Sequence, residues 1–310
     1  SGRNATAAGR NATAAASGAA EDAHSTTAAP APAPPSLVRG KPYLWPVNAV
    51  YVISMPDRPE RLKRFKQVLE FTTGVPGDLV EVSPGVNAED AVRNHAWPLE
   101  LLPGLYTDFE AGHVGNVGCG LAHMSAWKRV QDSPRCQADG AADEYALIFE
   151  DDEWVKGVLP AALRRLMQLV ESSDGPKPDF INLNVIRPTG EAVPDGESLL
   201  SGSYVLRVKK GKGHAKCWDP ADTTCPNTWL GAYLVRCGGA SRLIEGMQNL
   251  KRGGKKFDGT LSFDRAMSDM LLGSPPASEA VAWVVGPNNS FTVHSEQQSS
   301  RKELNGGLAN

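Results

Sequence analysis

Residues 145–155 read YALIFEDDEWV, an apolar run that ends on four consecutive carboxylates, Glu150, Asp151, Asp152 and Glu153. Tyr145 to Phe149 suit a buried strand. The acids that follow repel one another, and each resists ionising beside its neighbours. A cation, or a great deal of water, has to relieve them. What surrounds this strand therefore decides both the fold and the role of its acidic end.

Outward from it, strand and helix patterns alternate. Downstream, LPAALRRLMQLVES is a helix with Leu159, Leu163, Leu166 and Val170 in register. Upstream, VGCGLAHMSAWKRVQ is a helix that carries Cys119, His123 and Trp127 on one face. NAVYVISM reads as a buried strand leading into PDRPERLKRFKQVLEFTTG, where Leu62, Phe65 and Leu69 recur at helical spacing and Pro59 suits a first turn. DFINLNV, SYVLRVK, WLGAYLVR and VAWVVG are further strands, and GASRLIEGMQNL and FDRAMSDMLL further helices. This order predicts an α/β fold, a mainly parallel, Rossmann-like sheet flanked by helices. Ligands of such sheets collect beyond the carboxyl ends of the strands, where Glu150 to Glu153 stand.

The chain has 310 residues, 41% of them hydrophobic, and a formal net charge of -3. That supports one large domain or two modest ones, and the mild acidity argues against nucleic acid as a partner. No apolar run has the length of a membrane span, and the first residue is not Met. The expectation is a soluble portion, with membrane contact only through a missing N-terminal anchor. Residues 1–41 hold GRNATAA in tandem and then AAPAPAPPS, too poor in bulky apolar side chains to offset ordering entropy. They read as a disordered Ala/Pro-rich stem before a folded domain, 42–310. The five cysteines show no C-x-x-C pairing, which argues against a structural zinc site; Cys217 and Cys225 bracket a loop that a disulfide could close. The odd count leaves a free thiol unless it pairs between chains. Sequons at Asn4, Asn11 and Asn288 lean toward the secretory pathway lumen (ER/Golgi) or secretion.

Two readings of the acidic end compete on residue chemistry alone. In one, it holds a divalent cation, Mn²⁺ or Mg²⁺, whose remaining positions go to substrate phosphates. In the other, it is a solvated loop whose acids cap the helix starting near Val158. The first strand adds weight to the first reading. VYVISMPDRPERLKRF turns from strand to helix through Pro-Asp-Arg-Pro, aiming free N–H groups and Arg58 or Arg61 at one spot suited to an anion. Asp57 either caps that helix or holds a ribose hydroxyl or base.

Taken in order, VYVISMPDRPERLKRF, GNVGCGLAHMSAW and ALIFEDDEWV resemble the three motifs of glycosyltransferase family 25, which includes bacterial lipooligosaccharide galactosyltransferases and procollagen galactosyltransferases. The family patterns are an apolar strand with Asn-Leu and an Arg-rich helix start, Gly-Cys followed by Ser-His, and Glu-Asp-Asp after an apolar strand. Ser54 stands in place of the family's Asn, Pro56 intrudes in the turn, and Ala122 replaces the Ser before His123. Later, WLGAYLVRCGGASRLIE is similar to the family's Gly-x-Gly-Ala-Tyr strand, with Trp229 in place of the first Gly.

The resemblance implies a GT-A-type fold and an inverting, metal-dependent transfer of a hexose, commonly galactose from UDP-galactose, to a hydroxyl of a glycoprotein or glycan. Asp152 would then be the direct metal ligand, with Asp151 shared between metal and donor and Glu150 facing ribose or metal-bound water. Ser54, Asp57, Arg58, Arg61 and His123 would contact the nucleotide sugar. Single displacement needs a base opposite the leaving group, and Asp264 and then Asp258 are the candidates, each otherwise a helix cap. His294 is a late metal ligand or a hydrogen-bonded histidine without metal. Lys209, Lys210, Lys212, His214 and Lys216 belong to a lid over diphosphate or to a solvated hairpin. Two rivals stay open: a metal-dependent nucleotidyltransferase or phosphohydrolase, and a non-catalytic carbohydrate-binding module on a transferase scaffold.

Overall fold

A computed structural model describes residues 47–88, 90, 114–196, 199–200, 202–211, 217, 225–252, 255–256, 262–273, 279–287 and 291–294. Contacts separate Ser1–Arg39 from Gly40–Asn310, and all described residues lie in the second unit. Asp258, the three sequons and Lys212 to Lys216 fall outside the described residues. No helix among the described residues is long and apolar enough to cross a membrane.

The strands are β1 (Val47–Ser54), β2 (Val80–Pro84), β3 (Tyr145–Glu150), β4 (Glu153–Val155), β5 (Phe180–Asn182), β6 (Glu191–Ala192), β7 (Tyr204–Arg207), β8 (Ala232–Arg236), β9 (Lys251–Arg252), β10 (Lys255–Lys256), β11 (Ala282–Gly286) and β12 (Thr292–His294). The helices are α1 (Pro59–Thr73), α2 (Val114–Asp132), α3 (Pro134–Gln137), α4 (Leu159–Ser172), α5 (Ala240–Asn249) and α6 (Phe263–Leu272). Eight strands form one sheet in the order β2-β1-β3-β8-β5-β11-β7-β6, and β12 pairs with β4 beside it. The fold is α/β, as the alternation implies. The sheet is mixed, however: β8 and β7 run against their neighbours, while β2, β1 and β3 are mutually parallel. The reversal at β8 has no signature in an apolar run, because a strand buried on both faces looks the same in either direction.

Side chains alternate between two cores. Tyr51, Ile53, Ala146 and Ile148 face the side covered by α2, α5 and α6. Val50, Val52, Leu147 and Phe149 face the side covered by α1 and α4. Helix α1 begins at Pro59, whose fixed φ suits a first turn, and stops at Gly74, whose φ of 76° lets its N–H close on Glu70 O at 2.8 Å. Helix α4 buries Leu159, Leu163, Leu166 and Val170 along one stripe; truncating Leu163 would cost about 2–5 kcal/mol. Gly118 lets α2 lie directly on the backbone, since a Cβ there would stand 2.4 Å from Val86 O. Disulfides join Cys217 to Cys225 and Cys136 to Cys237, leaving Cys119 as the free thiol.

At the end of the sheet where β5 begins and β8 finishes, a second charged cluster forms. Asp179 is 1% exposed. Its Oδ1 accepts from Arg236 Nη2 at 2.6 Å and Arg242 Nη2 at 2.5 Å, and its Oδ2 from Arg242 Nε and the Val281 N–H at 3.0 Å each. Asp143 accepts from Arg236 and Lys177 beside it. Burial pushes the Asp179 carboxyl upward, but the bonds from Arg242, Val281 and Arg236 outweigh it and hold the group below the usual range.

Candidate functional site

The carboxyl ends of β1 and β3 lie side by side, Ile53 opposite Glu150. The backbone stays coupled past the strands: Asp151 N–H donates to Ile53 O at 3.1 Å and Glu150 N–H to Gly231 O at 2.9 Å. This brings Ser54, the first turns of α1, residues 150–153 and the start of β8 to one place. Ser54 Oγ donates to Asp151 Oδ2 at 2.7 Å. Arg61, one helical turn into α1, sets Nη2 2.7 Å from Asp151 Oδ1 and 2.8 Å from Asp152 Oδ2. The repulsion among the acids is thus relieved first from within the chain. Asp151 still titrates higher than usual: burial raises it, the Ser54 bond and Arg61 lower it, and Asp152 and Glu150 push it back up.

A cleft of about 50 Å³ opens between α1 and β4, lined by Arg61, Arg64, Asp151, Asp152, Glu153 and Trp154 among others. Arg64 is exposed and stacks its guanidinium 5.3 Å from the centre of the Trp154 ring. The sequence reading missed Arg64, although its place three residues after Arg61 puts it on the same helix face. Asp57 and Arg58 are exposed, and neither is part of this ion-pair group. The N-cap position of α1 belongs to Arg58 rather than Asp57, and no side-chain cap bond forms there. The acids of residues 150–153 do not cap α4 either; β4 intervenes, and Val158 holds that cap position without a side-chain bond.

His123 reaches the site only through Glu150. It is 1% exposed, with Nε2 3.1 Å from Glu150 Oε1 and Nδ1 2.8 Å from Tyr233 Oη. Trp127 Nε1 donates to the same Tyr233 oxygen at 3.2 Å, and Phe263 stacks on the imidazole with ring centres 5.4 Å apart and planes nearly parallel. With Tyr233 donating to Nδ1, the ring carries its proton on Nε2 and donates to Glu150. His123 is therefore a buried strut for Glu150.

Glu153 turns inward. It is 4% exposed, accepting from Trp229 Nε1 at 3.2 Å and Asn184 Nδ2 at 3.0 Å. Gly231 makes room for it, because a Cβ there would meet Glu153 Oε1 at 1.9 Å. Burial pushes Glu153 up to about 7; the bond from Trp229 opposes this, and Glu150 and Asp152 add to it. Trp229 has φ 85°, a left-handed conformation that favours glycine. It also ties the site together: its N–H donates to Asp264 Oδ2 at 3.2 Å, and its carbonyl accepts from Asn182 Nδ2 at 2.6 Å.

Asp264 lies in the first turn of α6, where Ser262 holds the cap position. Burial pushes the Cys119 thiol up, and Glu150, Asp264 and Asp152 push it further. His294 closes β12 opposite Glu153 in the β4 pairing, and its side chain lies outside the described residues.

Asp151 and Asp152 each turn one oxygen onto a single cationic nitrogen of Arg61. That nitrogen stands where two hard oxygen donors would share a cation, so the pair fits Mg²⁺ or Mn²⁺ once the partly exposed Arg61 side chain swings away.

No family model matches the chain. Curated relatives do. A bovine protein named probable inactive glycosyltransferase 25 family member 3 is 30% identical over 203 residues, covering 64% of this chain and 28% of that protein. The human inactive glycosyltransferase 25 family member 3 is 35% identical over 202 residues, with the same coverage. Mouse procollagen galactosyltransferase 2 is 26% identical over 165 residues, 51% of this chain and 24% of that protein. The chain spans about a quarter of the length of these relatives. Among solved structures, the galactosyltransferase LgtC with donor and acceptor sugar analogues aligns over 84% of this chain and 96% of that one, at 11% identity and a TM-score of 0.30. The chain is thus a relative of the glycosyltransferase 25 proteins, whose names span both a galactosyltransferase and inactive members.

Proposed function

We propose that this relative of the glycosyltransferase 25 proteins is a GT-A-type, inverting hexosyltransferase that takes UDP-galactose as donor and a hydroxyl of a glycoprotein or glycan as acceptor. Residues 42–310 would be the catalytic domain, behind a stem formed by residues 1–41. The observation that carries this reading is the convergence of Asp151 and Asp152 on Arg61 where β1 and β3 end together. Two disulfides among the described residues suit the lumen of the secretory pathway or the extracellular space.

Asp152 and Asp151 would hold Mn²⁺ or Mg²⁺, which supplies Lewis-acid stabilisation of the leaving diphosphate. The chain's own part follows from its geometry. Arg61, released from the aspartates, and the exposed Arg64 would bind diphosphate oxygens from α1. Ser54 fixes the Asp151 carboxylate, and Glu150, fixed by His123, would orient the ribose. Asp264, held by the Trp229 N–H, would take the acceptor hydroxyl's proton.

A second reading has specific support. Relatives named inactive, together with Ser54, Ala122 and the left-handed Trp229 at motif positions, favour a binding module that keeps the donor pocket without turnover. The test is to incubate the chain with UDP-galactose, Mn²⁺ and a panel of glycan and glycopeptide acceptors while following UDP release. Turnover that Asp152→Ala lowers by at least about 10²-fold supports the transferase. UDP binding without turnover supports the module, and release of phosphate or pyrophosphate instead of UDP supports a phosphohydrolase or nucleotidyltransferase.

A further inference from the structure

We infer a second metal site, specific for a thiophilic divalent cation of the zinc class, made by Cys119, His123 and Glu150. It goes beyond the donor site, whose cation would sit on the hard oxygens of Asp151 and Asp152. Cys119 and His123 stand four residues apart on α2, so their side chains share a face one above the other. Glu150 reaches them from the end of β3. One ligand atom from each of the three lies within 4.8 Å of the other two. His123 Nε2 and Glu150 Oε1 are already 3.1 Å apart, close to the roughly 3.3 Å edge between two light donors on tetrahedral zinc. A sulfur–nitrogen edge would be roughly 3.6 Å, so small side-chain rotations close the set.

Three features mark these groups as more than neighbours. The imidazole is held in place: Phe263 stacks on it and Tyr233 Oη meets Nδ1 at 2.8 Å. A metal on Nε2 would require the tautomer opposite to that of the metal-free ring, with the proton on Nδ1 and Tyr233 Oη turned to accept it; metal-ligating histidines usually donate this second N–H to an oxygen acceptor. The ligand set mixes thiolate, imidazole and carboxylate, which suits zinc-class ions and leaves a fourth position open. Asp264 and Asp152 add negative charge around the thiol, so the field favours a cation. On binding, the Cys119 S–H bond breaks, an S–metal bond forms and the proton leaves to solvent. The absence of C-x-x-C spacing does not bear on such a site, because its ligands come from one helix face and a distant strand end.

Cobalt(II) tests this directly. The other four cysteines are in disulfides, so any thiolate-to-cobalt band must come from Cys119. Titrating the whole chain with Co²⁺ alone should raise a near-ultraviolet thiolate band that saturates at one equivalent and is displaced by Zn²⁺. Cys119→Ser should abolish the band and leave the thermal melting curve of the metal-free chain in place. Tyr233→Phe should weaken cobalt binding about 10–100-fold. Asp152→Ala should leave the band intact, which keeps this site's outcome distinct from that of the donor site. No thiolate band in the native chain, or one that survives Cys119→Ser, overturns the inference.

Discussion

Arginine–carboxylate clusters occupy both ends of the central sheet, and their charge balances differ. Where β5 begins, Asp179 and Asp143 share Arg236, Arg242 and Lys177, and Asp179 also takes a backbone N–H. Cations outnumber carboxylates, every oxygen of Asp179 is engaged, and its pKa falls. Where β1 and β3 end, Glu150, Asp151, Asp152 and Glu153 crowd together, and Arg61 pairs with two of them. There Asp151 and Glu153 titrate high. The first cluster is saturated and can only hold the fold together. The second keeps a surplus of negative charge beside a cleft, and such a surplus is chemically useful only if a cation or proton can join it.

Breaking the two clusters should therefore have unequal consequences. Asp179→Ala takes the paired carboxylate from Arg242, leaves Arg236 with Asp143 alone and leaves the Val281 N–H unmet, and should cost about 3–5 kcal/mol, read as a lowered urea midpoint. Asp152→Ala removes one of several mutually repelling carboxylates and should change stability by less than about 1 kcal/mol. Equal losses in the two variants would erase the distinction between clamp and site.

A smaller effect sharpens the comparison through pH. Asp179 has a depressed folded pKa, so its contribution is present above the unfolded carboxylate pKa and is lost as acid drives pH down through the folded value. Glu153 is the reverse case. With a folded pKa of about 7 against 4.5, its contribution is full below pH 4.5 and is lost as pH rises through 7, on the order of 3 kcal/mol in all. Glu153→Gln should flatten the stability profile between pH 4.5 and 7.5, measured by urea unfolding at several pH values. An unchanged slope in that variant would mean that Glu153 is not the group that titrates.

How much of this could be read from the residues alone follows from interaction range. The apolar runs of β1, β3 and β11, the stripe of α4 and the acidic end of β3 are local patterns, and they were legible. Contacts across the sheet were not. Tyr233 meets His123 from 110 residues away, and Cys136 bonds Cys237 across 101; nothing in either neighbourhood names its partner. Strand β4 is hidden because Glu153 is one of four consecutive acids in the sequence, and only the fold shows that it is buried against Gly231. Trp229 stood out as an odd residue in its motif, but only its φ and its bonds to Glu153 and Asp264 show that it joins two parts of the site. Arg61 was one of two arginines aimed at an anion; its present partners are the aspartates themselves.

On the proposed function, the unbalanced end of β3 takes a cation together with a nucleoside diphosphate. Calorimetric titration of UDP into the native chain, with Mn²⁺ and again with excess chelator, tests it most directly. Binding should need Mn²⁺ and weaken at least about tenfold, 1.4 kcal/mol, in Asp152→Ala. Binding of equal strength in native and variant chains, indifferent to chelator, would contradict it.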